Sequence, residues 1–541
     1  MDFILVPATH VAIILRFLLV YTLLRLNLII FVIGMLTGRL TAPFGLMSLM
    51  ISICGISIVI GMIITIGGIL NDNNFVNATS TAKIEETPKL IDKGLEATVV
   101  VEGLKRPTSM AFLGPNDFIV LEKKTGIIKR IMNGTLLETP LLDVEVANEK
   151  ERGLLGVAVS KSDNRTGNQN YYSDFQKSLT TNVFLYYTES SAKDGNDDCP
   201  LINYCKEGTE PKGNRLYRYV LGQEKLVNPK LLLDLPANPG SDHLGGAVVI
   251  GPDRNVYLTT GDGHSCSYHS CDNGIQDTIL NSQSANLENG QVPDGRGGIL
   301  RVTQDGQTVK VEDQQGILDE NGILNKYYGY GIRNSYGIDF DPVSGKLWDT
   351  ENGPSFGDEI NLVEPGFNSG WLKMQGFWPI YNQTMLYPQG LVPPYRGYID
   401  TGNNSQIHGN EDHNISFVEF QGRGKYSDPE FVWNMTVGVT ALKFLDSKKL
   451  GEKYENDMFV ADSNNGNLYH FDLSKDRTKL VFNGSITDKI VHSLQREELN
   501  TILFGEGFGS VTDLEVGVDG YLYVVSYEEG KIFKIIPKKD L

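Results

Sequence analysis

An apolar alternating strand, a turn rich in Gly, Pro, Asp or Asn, and a second strand rich in Tyr, Val and Leu recur along most of this 541-residue chain. The unit is read at Ser109–Glu122, Gly156–Thr188 (with an insertion), Ala247–Gly261, Gly337–Glu351, Thr440–Ala461 and Thr512–Ser526. Further strands follow at Gly298–Val302, Gly466–Asp472 and Gly530–Ile536. Alternation with a period of two marks half-buried strands, and no long amphipathic helix stands out after residue 96. A single hairpin cannot bury its apolar face alone, so repeated units must pack against each other. The expected fold is therefore all-β, a six-bladed β-propeller built from sheets of four strands. A series of β-sandwiches is the rival, but it leaves the recurring Asp-Gly-type turns at equivalent places unexplained.

The first 70 residues follow other rules. Leu46–Leu70 is a run of 25 residues without a charge, longer than the roughly 20 that cross a bilayer as a helix. An earlier apolar stretch, Phe17–Leu36, contains Arg25 and reads either as a first span or as an interfacial segment. The chain is thus expected to carry an N-terminal transmembrane helical segment of one or two helices in residues 1–70. A polar linker over 71–95 and the propeller over 96–538 would follow. Arg16, Arg25 and Arg39 precede the second span and Asp72 follows it. That asymmetry places the Arg39 side in the cytoplasm and the propeller outside, in an extracellular or periplasmic space. A cleaved signal peptide is the alternative, but no short apolar core with a small-residue cleavage site stands out.

Two close cysteine pairs, Cys199/Cys205 and Cys266/Cys271, read as loop-closing disulfides in an oxidising compartment. A metal site from His264, Cys266, His269 and Cys271 is the competing reading. The sequons at Asn133 and Asn434 permit glycosylation. The net charge of −18 and the lack of any Lys/Arg run argue against a nucleic-acid partner.

The chemistry-bearing residues gather in the turns. Asp242-His243 and Gly261-Asp262-Gly263 flank one hairpin region, so a His and an Asp can converge at one rim. A His held by a carboxylate is a proton acceptor near neutral pH. The plainer reading makes Asp262 a turn cap and His243 a loop residue. Arg333-Asn334 offers a cationic fork with an amide, suited to an anionic or quinone oxygen. Gly353-Pro354 with Asp358, Glu359 and Asn361 is rich in oxygen ligands, which suits a hard cation such as Ca²⁺.

Taken in chain order, these motifs resemble the glucose/sorbosone dehydrogenase family of soluble quinoprotein sugar dehydrogenases. The matching elements are Gly103-Leu-Lys-Arg-Pro107, Gly153-Leu-Leu-Gly156, Asp242-His243, Gly261-Asp262-Gly263, Gly331-Ile-Arg333-Asn334 and Glu351-Asn-Gly-Pro354 with Asp358-Glu-Ile-Asn361. The resemblance covers residues 96–538. It implies that His243 is the base that takes a sugar hydroxyl proton while hydride passes to pyrroloquinoline quinone. It implies that Asp262 holds His243 and favours its imidazolium form. Arg333, counted with these two as catalytic, and Asn334 would contact the quinone side of the cofactor beside Asp242. The carbonyls of Gly353 and Pro354 would ligate Ca²⁺. The family also clamps the cofactor's carboxylates with a Lys in the next-to-last blade and an Arg-x-Arg-Asp in the last. Here the corresponding positions are Asn464, Ser510 and Thr512. A Gln of the family's first loop falls at Glu151 or Arg152, and Arg152 is the cation that could compensate in part.

The leading expectation is a membrane-anchored extracytoplasmic oxidoreductase that oxidises a sugar or polyol hydroxyl with pyrroloquinoline quinone and Ca²⁺. Two alternatives remain: a non-enzymatic carbohydrate- or protein-binding propeller that has lost the cofactor clamp, and a calcium-dependent lactonase-like hydrolase.

Overall fold

The turn between the first two strands of a unit shows why the repeats fold as hairpins. Asp253 accepts the backbone N–H of Asn255 at 3.0 Å with one carboxylate oxygen and the hydroxyl of Tyr257 at 2.9 Å with the other. Asp519 does the same for Tyr521 N–H (3.3 Å) and the Tyr523 hydroxyl (2.9 Å). One short side chain thus closes the turn and pins the second strand, as Asp does in Asx-turns. The Tyr ring then packs over a glycine: a Cβ on Gly251 would come within 2.7 Å of the Tyr257 ring. Each ring also meets a phenylalanine of the neighbouring sheet, Tyr257 with Phe340 and Tyr523 with Phe112, both at 5.0 Å between centroids.

The computed structural model describes residues 87–162, 180–191, 210–237, 240–263, 280–309, 322–354, 356–380, 415–492 and 496–538. Among these the hairpins extend into six sheets of four or more strands and one two-stranded ribbon. The first strands of the sheets are Pro107–Gly114, Leu154–Ser162, Val248–Ile250, Ser335–Phe340, Val439–Phe444 and Val511–Val516. Each packs against the next around a ring, and the sixth returns to the first, which makes the fold an all-β propeller. The first five sheets each take their leading strands from one stretch of chain in sequence order. The sixth joins both ends: Lys531–Pro537 pairs antiparallel with Leu95–Val101. Lys89–Leu90, inside the expected linker, also pairs with Leu503–Glu506.

The apolar core lies between the sheets. One cluster joins Trp348, Ile360 and Trp433 of the fourth sheet to Leu442, Val460 and Phe471 of the fifth. Another joins Phe459 and Ala461 of the fifth to Leu514, Val524 and Phe533 of the sixth. Strands buried on both faces, such as Val256–Thr260, are apolar or Thr-rich without alternation. At the join between the second and third sheets the backbones approach so closely that a Cβ on Gly156 would fall 1.9 Å from the carbonyl oxygen of Gly246.

The predicted unit boundaries agree with the strands to within a few residues, as at Val248–Ile250 and Val256–Thr260 for the unit Ala247–Gly261. The spans at Phe17–Leu36 and Leu46–Leu70, both cysteine pairs, and His264 and His269 lie outside the described residues. No helix among the described residues is long and apolar enough to cross a membrane.

Candidate active site

Four loops converge around His243. His243 sits with φ of 55°, a left-handed conformation that turns its loop back on itself. Its carbonyl accepts the N–H of Gly263 at 3.1 Å. That closeness is why position 261 is glycine: a Cβ there would fall 2.2 Å from the His243 carbonyl oxygen. The two halves of the hairpin are thereby pressed together, and His243 Nδ1 lies 2.7 Å from Asp262 Oδ1. The second oxygen of Asp262 accepts the indole N–H of Trp371 at 2.9 Å. Asp262 is 1% exposed and His243 is 12% exposed, so the pair is shielded but the ring is reachable.

Arg333 completes the set from the next sheet. Its Nη2 lies 2.9 Å from His243 Nε2. A guanidinium carries no acceptor, so Nε2 must be the acceptor and the ring's proton sits on Nδ1, facing Asp262. Arg333 Nη1 donates to the carbonyls of Asn352 (2.8 Å) and Gly353 (3.1 Å). The guanidinium carbon stands 5.5 Å from the Trp371 ring centroid.

The Gly353 loop is held from below by Asp358. One oxygen of this buried carboxylate accepts Gly353 N–H (2.8 Å) and the Thr436 hydroxyl (2.7 Å). The other accepts the N–H groups of Val437, Gly438 and Val439 at 2.9, 2.7 and 3.3 Å. Asp358 is therefore committed to the backbone, which leaves the Gly353 and Pro354 carbonyls as the expected ligands of a cation there. Ca²⁺ takes 6–8 oxygens, so Gly353 and Pro354 could hold it only together with oxygens of a bound ligand or water. The Gly353 carbonyl is engaged by Arg333 Nη1, so a cation there would have to share or replace that contact.

Glu151 ties the first loop to the same centre. Its Oε2 accepts the hydroxyl of Tyr336, the N–H of Leu244 (3.2 Å) and the amide of Asn334 (3.3 Å). Burial, and then the charge of Glu151, hold the Tyr336 hydroxyl far above the usual tyrosine range. Asn334 Oδ1 in turn accepts Gly245 N–H at 3.1 Å. Asp242 pairs with Lys150 at 2.5 Å, and burial raises its carboxyl despite that cation.

The channel itself is a cavity of about 290 Å³ whose wall includes Lys123, Lys150, Glu151, Tyr336, Ser510 and Thr512. His243 borders a separate cleft of about 10 Å³ with Leu244, Gly261, Gly263 and Arg296.

The model of the family described as glucose/sorbosone dehydrogenase matches residues 104–377. The chain belongs to the glucose/sorbosone dehydrogenase family. Quinoprotein glucose dehydrogenase B of Acinetobacter calcoaceticus is 28% identical over 319 residues, 57% of this chain and 60% of that protein. The chain thus aligns with less than two-thirds of that relative's length. Aldose sugar dehydrogenase YliI of Escherichia coli K12 is 24% identical over 448 residues, 82% of this chain and 94% of that one. Two solved structures share the fold. One is an oxidoreductase from Thermus thermophilus described as a glucose dehydrogenase (TM-score 0.52, 22% identity, 82% of this chain and 100% of that one). The other is the apo-form of the soluble aldose sugar dehydrogenase of Escherichia coli (TM-score 0.53, 19% identity, 82% and 100%).

Within this family member the expected site residues divide. His243, Asp262, Arg333, Asn334 and Gly353 form one connected network, and Asp242 stands beside it. Ser510 and Thr512 line the channel cavity, as does Ser463, whereas Asn464 is exposed and outside that lining. Arg152 is fully buried and points its Nη2 at the carbonyls of Ala237 (2.9 Å) and Gly240 (3.3 Å), so it braces a loop instead of facing the channel. Sequence reasoning missed Trp371, which is 109 residues from Asp262, and the lysines Lys123 and Lys150. Lys150 directly precedes the Glu151-Arg152 loop, and that adjacency was the available signal.

A second feature was also hidden. On one face of the fourth sheet Asp349 opposes Asn361 and Glu351 opposes Glu359, and all four are buried. Burial pushes Asp349 up to about 7. Burial, then the charge of Asp349, pushes Glu351 up as well. A carboxyl raised in the native state binds a proton that the unfolded chain, titrating near pH 4, has already lost. Its stabilisation is complete below about pH 4 and disappears as pH rises through about 7. The melting temperature should therefore fall between pH 5 and 8, and less steeply in Asp349→Asn. Parallel profiles for the two proteins would show that Asp349 does not titrate in this range.

Proposed function

We propose that this protein oxidises a sugar or polyol hydroxyl, with pyrroloquinoline quinone as cofactor and Ca²⁺ bound beside it at the end of the channel. The observation that carries this reading is the Asp262–His243–Arg333 relay, with the Gly353 carbonyl on the same guanidinium. The quinoprotein name of the Acinetobacter relative supports the cofactor, and the sugar dehydrogenase names support the substrate class. When bound, the quinone would be the two-electron acceptor for hydride and Ca²⁺ its Lewis acid.

The chain's own residues have defined tasks. His243 Nε2 takes the hydroxyl proton, and Nδ1–H keeps its bond to Asp262, which stabilises the charge that forms on the ring. Trp371 engages the other Asp262 oxygen, so the carboxylate cannot rotate away. Arg333 Nη2 lies on Nε2 at 2.9 Å. That nitrogen has a single lone pair, so an incoming oxygen must draw the guanidinium off before proton transfer. Arg333 then serves the oxygen on which negative charge develops.

In this reading the six sheets are the six blades of the propeller. The uncharged run Leu46–Leu70 anchors them to a membrane, with the propeller on the extracytoplasmic side. The test is to add pyrroloquinoline quinone and Ca²⁺ to the purified protein and follow the quinone absorbance as aldoses and polyols are added. Conversion to the reduced spectrum is expected. Sugar binding without any reduction would instead support the non-enzymatic binding propeller.

A further inference from the structure

A buried carboxylate stands between two of the segments that reach the His243–Asp262 pair. Glu351 is the last residue of the strand Leu347–Glu351 and is 1% exposed. One of its oxygens accepts the backbone N–H of Arg333 at 2.6 Å, and the other accepts the hydroxyl of Ser369 at 2.6 Å. Each partner lies 18 residues away along the chain, one before and one after. Both belong to segments that end on the same pair. The carbonyl of Arg333 accepts the N–H of Asp262 at 2.9 Å, and its guanidinium rests against His243. Ser369 is followed two residues later by Trp371, whose indole donates to Asp262.

The fold does not account for an acid at this place. Glu351 lies directly opposite Glu359 on the neighbouring strand, with Asp349 two residues away on the same face. Like charges facing each other across strands destabilise a sheet, and burial raises the cost, so for stability alone a neutral side chain would serve better. Glu359 is turned to other partners, the N–H of Gly376 at 2.7 Å and the amide of Gln375 at 2.6 Å. The two segments are also bonded to each other, through Ser369 N–H to the Tyr330 carbonyl and Trp371 N–H to the Gly331 carbonyl, both at 3.0 Å. Glu351 adds a bond from one carboxylate to both of them at once.

We propose that Glu351 is a positioning residue of the site: its carboxylate sets Arg333 and Trp371 in register around His243 and Asp262. This rests on the oxidation reading above, in which Arg333 serves the oxygen that gains negative charge. A misplacement of about 1 Å at such a group costs about 100-fold in rate.

The experiment makes two measurements on the full-length protein. The first needs no ligand: the indole N–H signals of the four tryptophans are recorded by NMR, with Trp371 assigned by its loss in Trp371→Phe. Glu351→Met should move the Trp371 signal, and Glu351→Gln should leave it near the wild-type position. Gln keeps an oxygen for the Arg333 N–H and offers an amide that Ser369 Oγ can accept. The second is turnover with pyrroloquinoline quinone, Ca²⁺ and an aldose. Glu351→Met should lower kcat by about 100-fold with KM within a few-fold of wild type, and Glu351→Gln should recover most of that loss. Ser369→Ala removes one of the two bonds, so it should move the same signal and lower kcat by about 10-fold. It carries the test if Glu351→Met does not fold. Wild-type protein that reduces no quinone overturns the oxidation reading, whereas an unmoved Trp371 signal in the folded variants overturns this inference. Wild-type rates in those variants overturn it as well. So does Glu351→Gln as slow as Glu351→Met, because charge and not the paired hydrogen bonds would then be the essential feature.

Discussion

Replacing His243 with Ala is expected to lower the rate of sugar oxidation by about 10²–10⁴-fold, the usual share of a positioned general base. The circular dichroism spectrum should stay close to wild type, with a melting temperature lowered by the lost contacts to Asp262 and Arg333 but the protein still folded. The reason is local. The His243 ring contacts Asp262 through one nitrogen and Arg333 through the other. Its backbone, with φ of 55°, is set by the pairing of the two loop halves and not by the side chain. Asp262→Asn should reduce the rate less, because the ring stays in place and only the charge that stabilises its protonated form is lost. That variant should also lose stability, since Asn cannot accept from both His243 Nδ1–H and the Trp371 indole. A His243→Ala protein that turns over at the wild-type rate would remove His243 as the base.

The second large effect concerns stability. Asp358→Ala should reduce the free energy of unfolding by about 3–5 kcal/mol, because several buried donors lose their acceptor at once. Asp358 is fully buried and its two oxygens accept five donors, from Gly353, Thr436, Val437, Gly438 and Val439. Burial alone raises its carboxyl, and these donors oppose that rise. Removing the carboxylate leaves the donors of two loops without their acceptor in the interior, at roughly 1–3 kcal/mol for each group left unsatisfied. Asp358→Asn keeps one acceptor oxygen and should fall between Ala and wild type. The check is the urea midpoint with its slope, and a shift worth less than about 1 kcal/mol would show that the loops re-pair without Asp358. Because the same carboxylate positions the Gly353 carbonyl, the Ala variant should also bind Ca²⁺ more weakly in the presence of quinone.

Much of the candidate site could be read from the chain because its first pair is local. Asp242-His243 and Asp262 flank one hairpin, with His243 and Asp262 19 residues apart, and hairpin geometry brings such positions to one rim. The Gly353–Asp358 turn is likewise a contiguous loop between paired strands. Arg152 misled for a definable reason. Residues 149–152 form a turn closed by the Arg152 N–H on the Glu149 carbonyl at 2.9 Å, from which Glu151 reaches Tyr336 while Arg152 turns into the protein toward Ala237 and Gly240.

The strands, their turns and the all-β class belong to the sequence by itself. Alternation of period two, and an Asp that caps a turn and holds a Tyr four residues on, act over distances that a hairpin spans. Ring closure belongs to the tertiary structure alone. Pairing of Leu95–Val101 with Lys531–Pro537 joins opposite ends of the propeller sequence. That closure is what brings Lys123 and Lys150 to the same cavity wall as Ser510 and Thr512. The contacts of Arg333 to His243, 90 residues away, and of Trp371 to Asp262, 109 residues away, likewise depend on how neighbouring sheets dock. Docking is governed by the apolar clusters between sheets, and burial of apolar area is non-directional. A list of residues therefore announces that sheets will pack, but only the packed ring shows which side chains meet.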